Sequence, residues 1–487
     1  MAMKYILSII LLSVIPLSTA FGQSITLDAF LDRVKQEHPL IKRESLSPEI
    51  ERIDKEKLLT AQDWFVNSNL RFSASKPIQT SPFSPSRVNR ASFDTDFRRS
   101  FWSTGGKLSL AWSSSRLTQD LQSITIPSPT GESSIPVGAS KLYENSVSVS
   151  ITQPLWRNIG GKLDRLDYNL SDYKIDIAEL QAIENQEKFL LSLANKFLDW
   201  ALLEEEKRIA SERLDLAVEQ LEHSQELREA NLVDQVDVLR SEDAVRSARQ
   251  NLVLIESRIE AARAELAVLA QYDQINTMSA EYDIYRLAEL PEREEAFDRL
   301  KDDSRLIRAL EEQASRLEEL QIGFNEIGDP SLDLGFGVGL KGGDERFTSS
   351  LELLKPDFTL SLTFSQQLGA NAAEADIDRT RVQMEQVEYQ KMETLLSLES
   401  SLINLLIQIE DLEDVLALNQ QEIESAIQRT EEEVRLYNQG RGELTFVIQS
   451  RDNIQNAQLI YARNAANYHR LLLQYRELTD QLLEYDL

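Results

Sequence analysis

The chain has 487 residues, 81 acidic against 52 basic side chains, a net charge of -29 and no cysteine. The missing cysteine excludes a disulfide scaffold, a thiolate metal site, a Cys nucleophile and a lipid anchored on an N-terminal Cys. The acidity argues against a nucleic-acid partner, which needs basic patches to meet phosphate, while 42% hydrophobic residues give enough apolar surface for a sizeable core.

In chain order, residues 1–22 come first. Lys4, an apolar stretch over 6–15 too short to span a bilayer, and small residues at Ser18-Thr19-Ala20 predict an export signal cleaved after Ala20 or Gly22. No later stretch reaches the length of a transmembrane helix. The mature chain is therefore expected in the periplasm, outside the cell, or in an outer membrane as β-structure.

Over 64–75, Val66, Ser68, Leu70, Phe72 and Ala74 alternate with Asn67, Asn69, Arg71 and Ser73, which predicts a strand. An insertion at 76–143 follows, Ser/Pro-rich in most of its length. It holds a candidate hairpin: 93–102, the turn Thr104-Gly105-Gly106, then Leu108, Leu110 and Trp112 in alternation. Either this insertion is an extracellular elaboration, the reading favoured here, or it adds barrel strands. A second strand follows, with Val147, Val149 and Ile151 alternating with Ser146, Ser148, Ser150 and Thr152.

Glycine is then absent from 162 to 322 and proline from 155 to 290, a long helix-permissive tract. Val245, Ala248, Leu252, Ile255, Ile259, Ala262, Leu266 and Leu269 are spaced three and four apart, a coiled-coil seam. The tract breaks once, at Ala230-Asn231-Leu232-Val233-Asp234. Asn tolerates the left-handed conformation at a helix end, so the tract is predicted to be a helical hairpin.

Two more strands follow. Leu332, Leu334, Phe336, Val338 and Leu340 alternate with Asp333 and three glycines; Phe358, Leu360, Leu362 and Phe364 alternate with Thr359, Ser361, Thr363 and Ser365. The glycines at 335, 337 and 339 sit at period two and open no helix, so they are not a phosphate loop. A second glycine-free tract carries Leu395, Leu398, Leu402, Leu405, Ile409, Leu412, Leu416, Asn419 and Ile423 at heptad spacing and breaks at Gln439-Gly440-Arg441-Gly442. It predicts a second helical hairpin.

The halves repeat. At an offset of 209, Gly440 falls on Asn231, Val447 on Val238, Ser450 on Ser241 and Ala457 on Ala248; at an offset of 213, Gln366-Gln367-Leu368 falls near Gln153-Pro154-Leu155. Two features in register indicate a duplicated unit.

Ten-residue strands with one apolar and one small-polar face are what a transmembrane barrel requires. Four strands cannot close one, open edges do not survive in lipid, and the smallest barrels have about eight strands. Three copies would give twelve, so a homotrimer is expected. No catalytic chemistry is visible. His38, His223 and His469 stand apart from one another, and Glu204-Glu205-Glu206 reads as solvated helix surface. No enzyme activity, catalytic residue, cofactor or metal site is expected.

The opening Ile25-Thr26-Leu27-Asp28-Ala29-Phe30 with His38-Pro39-Leu40, the Gln153-Pro154-Leu155-Trp156 that ends a strand, and the turns Asn231-Leu232-Val233…Val236-Asp237-Val238-Leu239 and Tyr437-Asn438-Gln439-Gly440 together resemble the TolC-like outer-membrane efflux proteins. The resemblance implies a mixed α+β, mostly α chain. It implies a trimeric outer-membrane β-barrel, four strands per subunit, continued by a long periplasmic α-helical coiled-coil tunnel. It also implies an exit duct of a tripartite efflux or type I secretion system, fed by an inner-membrane transporter through a periplasmic membrane-fusion adaptor. The expected partition is a signal peptide at 1–22, periplasmic helices at 23–63, a first strand pair with its insertion at 64–156, and a helical hairpin at 157–271. An equatorial segment with a returning helix (272–329), a second strand pair (330–368) and a second hairpin (369–487) complete it.

By position, the resemblance implies adaptor-docking tips at Asn231, Leu232, Val233, Gly440 and Gly442. It implies a gate in which Asp237 and Tyr437 match the family's Asp and Tyr. The family's Arg position holds Gly442 here, and the adjacent Arg441 stands in for it. Phe446 and Gln449 occupy the positions of the family's acidic constriction, and neither is charged. The alternative reading is a periplasmic coiled-coil structural protein without a channel.

Overall fold

The computed structural model describes residues 24–78, 84–121, 123–128, 131–136, 140–288, 292–368 and 372–483; the expected export signal lies outside them. The first elements are β1 (Ser24–Thr26), α1 (Leu27–Glu37), α2 (Pro39–Leu58), β2 (Phe65–Ser75), β3 (Arg87–Phe101) and β4 (Gly106–Asp120). Then come β5 (Ser123–Ser128), β6 (Gly131–Pro136), β7 (Lys141–Pro154), α3 (Lys162–Glu229), α4 (Gln235–Leu269) and β8 (Ser279–Glu281). The remainder is α5 (Arg293–Asp303), α6 (Arg305–Gly328), β9 (Ser331–Asp344), α7 (Phe347–Ser350), β10 (Lys355–Ser365), α8 (Ala372–Asn438) and α9 (Leu444–Leu478). Among the described residues, no helix is long and apolar enough to cross a membrane. The chain divides into two compact units.

The first unit comprises residues up to Ser45, 183–304 and 396–487. Helix α1 starts where the Thr26 hydroxyl accepts the Ala29 amide at 3.3 Å. It buries Leu27, Phe30, Leu31 and Val34, the i, i+3, i+4, i+7 face. That face meets Leu190, Leu193, Phe197, Trp200, Leu266 and Ile275 in one core, and β1 pairs in parallel with β8 beside it. A second core gathers Leu402, Leu406 and Ile409 of α8 with Ala462, Ala465 and Tyr468 of α9 and Leu300 of α5. Every expected seam position from Val245 to Leu269 and from Leu395 to Ile423 is buried or half-buried. In the second seam Asn464 donates to Asn419 at 2.7 Å, a polar pair of the kind that fixes helix register.

The second unit comprises 46–182 and 305–395. It holds a six-stranded antiparallel sheet of order β10-β9-β7-β4-β3-β2. The expected count of four strands is therefore corrected to six: the hairpin read as an extracellular elaboration is β3 and β4, inserted between β2 and β7. Pairing is continuous, from Phe65↔Arg98 to Ser75↔Val88, from Arg87↔Asp120 to Phe101↔Gly106, and from Lys107↔Thr152 to Thr118↔Lys141. The physical reason is face matching. Leu70 faces Phe93, Phe97 faces Leu110, Leu110 faces Val149, Val149 faces Val338 and Val338 faces Phe358. One apolar face thus runs unbroken across all six strands. The other face carries Asn69, Asp94, Ser113, Ser146, Lys341 and Asp357 on successive strands. A cavity of about 380 Å³ opens on this polar side, between 146–152 and 335–341, so the sheet curls around its polar face.

Turn Trp102–Gly105 joins β3 to β4 and is locked to the base of the sheet. Gln153 Nε2 donates to the Thr104 carbonyl at 2.7 Å, and Trp102, buried, lies edge-on to Tyr168 at 5.6 Å. Gly161, at φ 68°, packs so closely that a Cβ there would sit 1.7 Å from the Trp102 carbonyl oxygen.

Candidate gate and docking tips

The two long helices, α3 and α8, end in the same way. After α3, the Asn231 amide bonds the Arg228 carbonyl at 3.0 Å and the Leu232 amide bonds the Leu227 carbonyl at 2.8 Å, with Asn231 at φ 57°. After α8, the Gly440 amide bonds the Tyr437 carbonyl and the Arg441 amide the Leu436 carbonyl, both at 2.9 Å, with Gly440 at φ 70°. Both are Schellman closures, in which a left-handed residue returns two amides to the last helical carbonyls. The offset of 209 between them holds bond for bond.

The tips differ in how they are packed. Leu232 is 70% exposed. Val233 is half-buried against Tyr437, Leu444 and Val447, together with Leu227 and Val434. Val233 thus belongs to the small core behind the tip rather than to its surface. Phe446 is half exposed and its neighbour Val447 fully buried, so Phe446 is not absorbed by the seam.

Asp237 lies in the first turn of α4 and pairs with Arg240 at 3.2 Å, one turn on. Sequence reasoning missed Arg240; its i, i+3 spacing from Asp237 was the signal. Within the chain Asp237 is not tied to Arg441, whose guanidinium makes no ion pair among the described residues. Tyr437 is buried behind the turn. Burial pushes its phenol above the ordinary value, and the Asp237 charge adds to the rise. Ser224 stands beside it without completing a hydrogen bond of normal geometry to the hydroxyl. Ser224 instead bonds the Gln220 carbonyl at 2.8 Å and the Ser241 hydroxyl at 2.9 Å. Ser241 is a polar residue at a buried seam position, and its counterpart in the second repeat, Ser450, is buried too.

Gln449 lines a groove of about 650 Å³ between α4 and α9, with Arg213, Arg240, Asp243, Asn251 and Asp452. Arg213, nearly buried, forks onto Asp452 through Nε at 2.9 Å and Nη2 at 2.5 Å. The groove mixes these charged and polar side chains with Ala244, Ala248 and Ile448. One trio of carboxylates, Glu184, Glu187 and Asp480, lies close together elsewhere in this unit. Glu187 accepts the amides of Leu482 and Leu483 at 2.9 and 3.1 Å, so it ties down the end of the chain.

The fold is shared with solved outer-membrane channel proteins. The chain is similar to the outer membrane protein VceC of Vibrio cholerae, at 11% identity and a TM-score of 0.64, over 93% of this chain and 95% of that one. It is similar to the Campylobacter jejuni CmeC outer membrane channel, at 11% identity and 0.63, over 95% and 87%. It is also similar to the open state of the Neisseria gonorrhoeae MtrE outer membrane channel, at 14% identity and 0.59, over 94% and 89%. At these identities the likeness is one of fold. No family model and no curated protein matches the sequence.

Proposed function

We propose that the protein is an outer-membrane exit duct that passes substrates delivered by an inner-membrane transporter through a periplasmic adaptor. It would work as a homotrimer, directed to the outer membrane of a Gram-negative-type cell by the signal at 1–22 and extending into the periplasm. The observation that carries this reading is the sheet. Its apolar face is continuous over six strands, and its two edge strands, β2 and β10, are exposed at every residue. In water such a face and such edges are a liability. In a closed barrel within lipid they are the wall and the seam.

A second copy is also wanted along α8. Val382, Tyr389, Leu396 and Ile403 recur every seven residues, and the first three are more than 60% exposed. That is a heptad stripe left uncovered among the described residues. At the tips, Asp237 and Tyr437 would form the gate, with Arg441 of a neighbouring copy as counter-charge and Phe446 and Gln449 at the constriction. Asn231, Leu232, Gly440 and Gly442 would meet the adaptor, with Val233, first expected among them, supporting the tip from the core behind it. A partly exposed tie of this kind is worth about 1 kcal/mol per contact, weak enough for an adaptor to open.

The test is the location and mass of the mature protein. Outer and inner membranes are separated, the protein is extracted in mild detergent, and its mass is measured by light scattering with detergent subtracted. A trimer in the outer membrane is expected. A soluble monomer or dimer overturns the reading and leaves a periplasmic coiled-coil protein. For the gate, Asp237→Ala with Tyr437→Phe should raise single-channel conductance in a planar bilayer; unchanged conductance removes the tie.

A further inference from the structure

The six-stranded sheet sets the width of the duct. We propose that each copy contributes all six strands to the barrel wall, so that the trimer closes eighteen strands rather than the twelve that four per copy would give. This rests on the trimeric outer-membrane reading above and adds the size class of what can leave.

Three features place β3 and β4 in the wall rather than outside it. First, their backbones leave no gap in the ladder. β3 pairs along the whole of β2, and β4 pairs with twelve residues of β7. Were the hairpin folded away, β2 would have to pair with β7 directly, and the structure keeps them two strands apart. Second, the faces agree. Phe93, Phe97, Leu108, Leu110 and Trp112 lie on the same side as the apolar residues of the other four strands. A hairpin lying over an extracellular mouth needs no such alignment, because it meets water on both sides. Third, the Trp102–Gly105 turn is built into the base of the sheet through Gln153, Tyr168 and Gly161, at the end where the chain passes into α3.

Closure is compatible with this number. Every neighbouring pair is antiparallel, so with six strands β2 and β10 run in opposite directions. The β10 edge of one copy can therefore continue the antiparallel ladder on the β2 edge of the next. The two edges are of equal length, eleven residues each.

Width follows from strand number. With strands about 4.7 Å apart and tilted about 40°, eighteen strands give a barrel about 35 Å across between opposite backbones, against about 24 Å for twelve. Eighteen-stranded porins hold an open aqueous lumen. The added strands also change the lining. Asp94, Asp96 and Arg98 of β3 and Lys107 of β4 face inward, and Asp96 pairs with Arg98 at 2.7 Å. The inner faces of β7, β9 and β10 are mostly Ser, Thr and Gly. The barrel is thus a wide, charged-lined outlet that does not select by size among small solutes and accommodates bulky hydrophilic cargo such as a polypeptide segment. Size selection is left to the helical turns.

The absence of cysteine gives a clean background for the test. Single substitutions Leu108→Cys, Ser109→Cys, Leu110→Cys, Ala111→Cys, Trp112→Cys and Ser113→Cys scan β4. Val147→Cys, Ser148→Cys, Val149→Cys and Ser150→Cys scan β7 as the reference. Outer-membrane preparations are reacted with a membrane-impermeant maleimide. In-phase alternation is expected, with 109, 111 and 113 reacting like 148 and 150, and with 108, 110 and 112 shielded like 147 and 149 until detergent is added. If β7 alternates while β4 reacts at every position, the hairpin lies outside the wall and the proposal is overturned, with the channel reading intact. If β7 itself does not alternate, the membrane barrel falls and the eighteen-strand wall with it. Six positions on β4 keep the result readable if one variant fails to assemble.

Discussion

His469 shows how a single buried side chain links this fold to pH. Its Nε2 lies 3.0 Å from the Ile284 carbonyl and its Nδ1 2.9 Å from the Tyr282 hydroxyl. A carbonyl only accepts, so Nε2 carries the proton and Nδ1 accepts from Tyr282. Burial holds the imidazole below its ordinary 6.5; the Ile284 bond and the Asp283 charge oppose this and Arg476 adds to it. The folded chain therefore favours the neutral ring. The stability this contributes is complete above pH 6.5 and is lost as pH falls through the lowered folded value. His469→Leu should cost about 2 kcal/mol at pH 8, since it strands a buried carbonyl and a buried hydroxyl. The gap to the parent should narrow as pH falls below 6.5. Thermal unfolding in detergent at three pH values reads both effects, and a gap independent of pH would contradict the assignment.

At the scale of elements, the two helix turns make a sharper comparison. Both need a left-handed residue; the first repeat uses Asn231 and the second Gly440. Nothing lies within 4 Å of a Cβ added at Gly440, so a side chain there costs backbone strain alone. Gly440→Ala should lower the opening free energy of the tip by about 1 kcal/mol, read as faster amide hydrogen exchange at Gly440 and Arg441. Gly440→Asn should cost less, because the first repeat already closes with Asn.

These turns were legible in the sequence because Asn and Gly interrupt otherwise glycine-free tracts, and heptad spacing marked the seams between them. The strand content of 93–112 was legible too, from the alternation of Leu108, Leu110 and Trp112. Its place in the sheet was not. Alternation reports which residues share a face and says nothing of which strand lies alongside, so a hairpin flanked by Ser/Pro-rich chain fits an extracellular elaboration as well as a place in the sheet. The Asp237–Arg240 pair was hidden for another reason. The resemblance implies a partner across the turn, whereas a salt bridge at i, i+3 satisfies the carboxylate locally.

On the scale of the whole molecule, the exposed stripe of α8 is the feature that a single chain does not explain. Tyr389 and Leu396 are 62% and 66% exposed, one heptad apart. Burying them against a second copy would contribute about 1.5–3 kcal/mol each. Replacing both by Glu sets like charges into that contact in every copy. The double variant Tyr389→Glu with Leu396→Glu should leave the helices intact by circular dichroism while the detergent-corrected mass falls toward that of one chain. A mass unchanged from the parent would place the contact between copies elsewhere.

The continuous apolar face of the sheet also bears on how the molecule comes into being. Six strands that turn Leu, Val, Phe and Trp outward cannot wait preassembled in an aqueous compartment, because two such faces, or two free edges, will find one another first. The helical hairpins differ: their heptad seams are buried or half-buried within the chain, in cores shared with α1 and α5. Biogenesis is therefore ordered. On the outer-membrane reading proposed above, the hairpins would acquire structure in transit, while strands β2, β3, β4, β7, β9 and β10 would stay unpaired or escorted until lipid receives them. On that reading a hairpin that widens the outlet would also lengthen the stretch needing escort, so that a broader exit would come with a greater risk of aggregation on the way to the membrane.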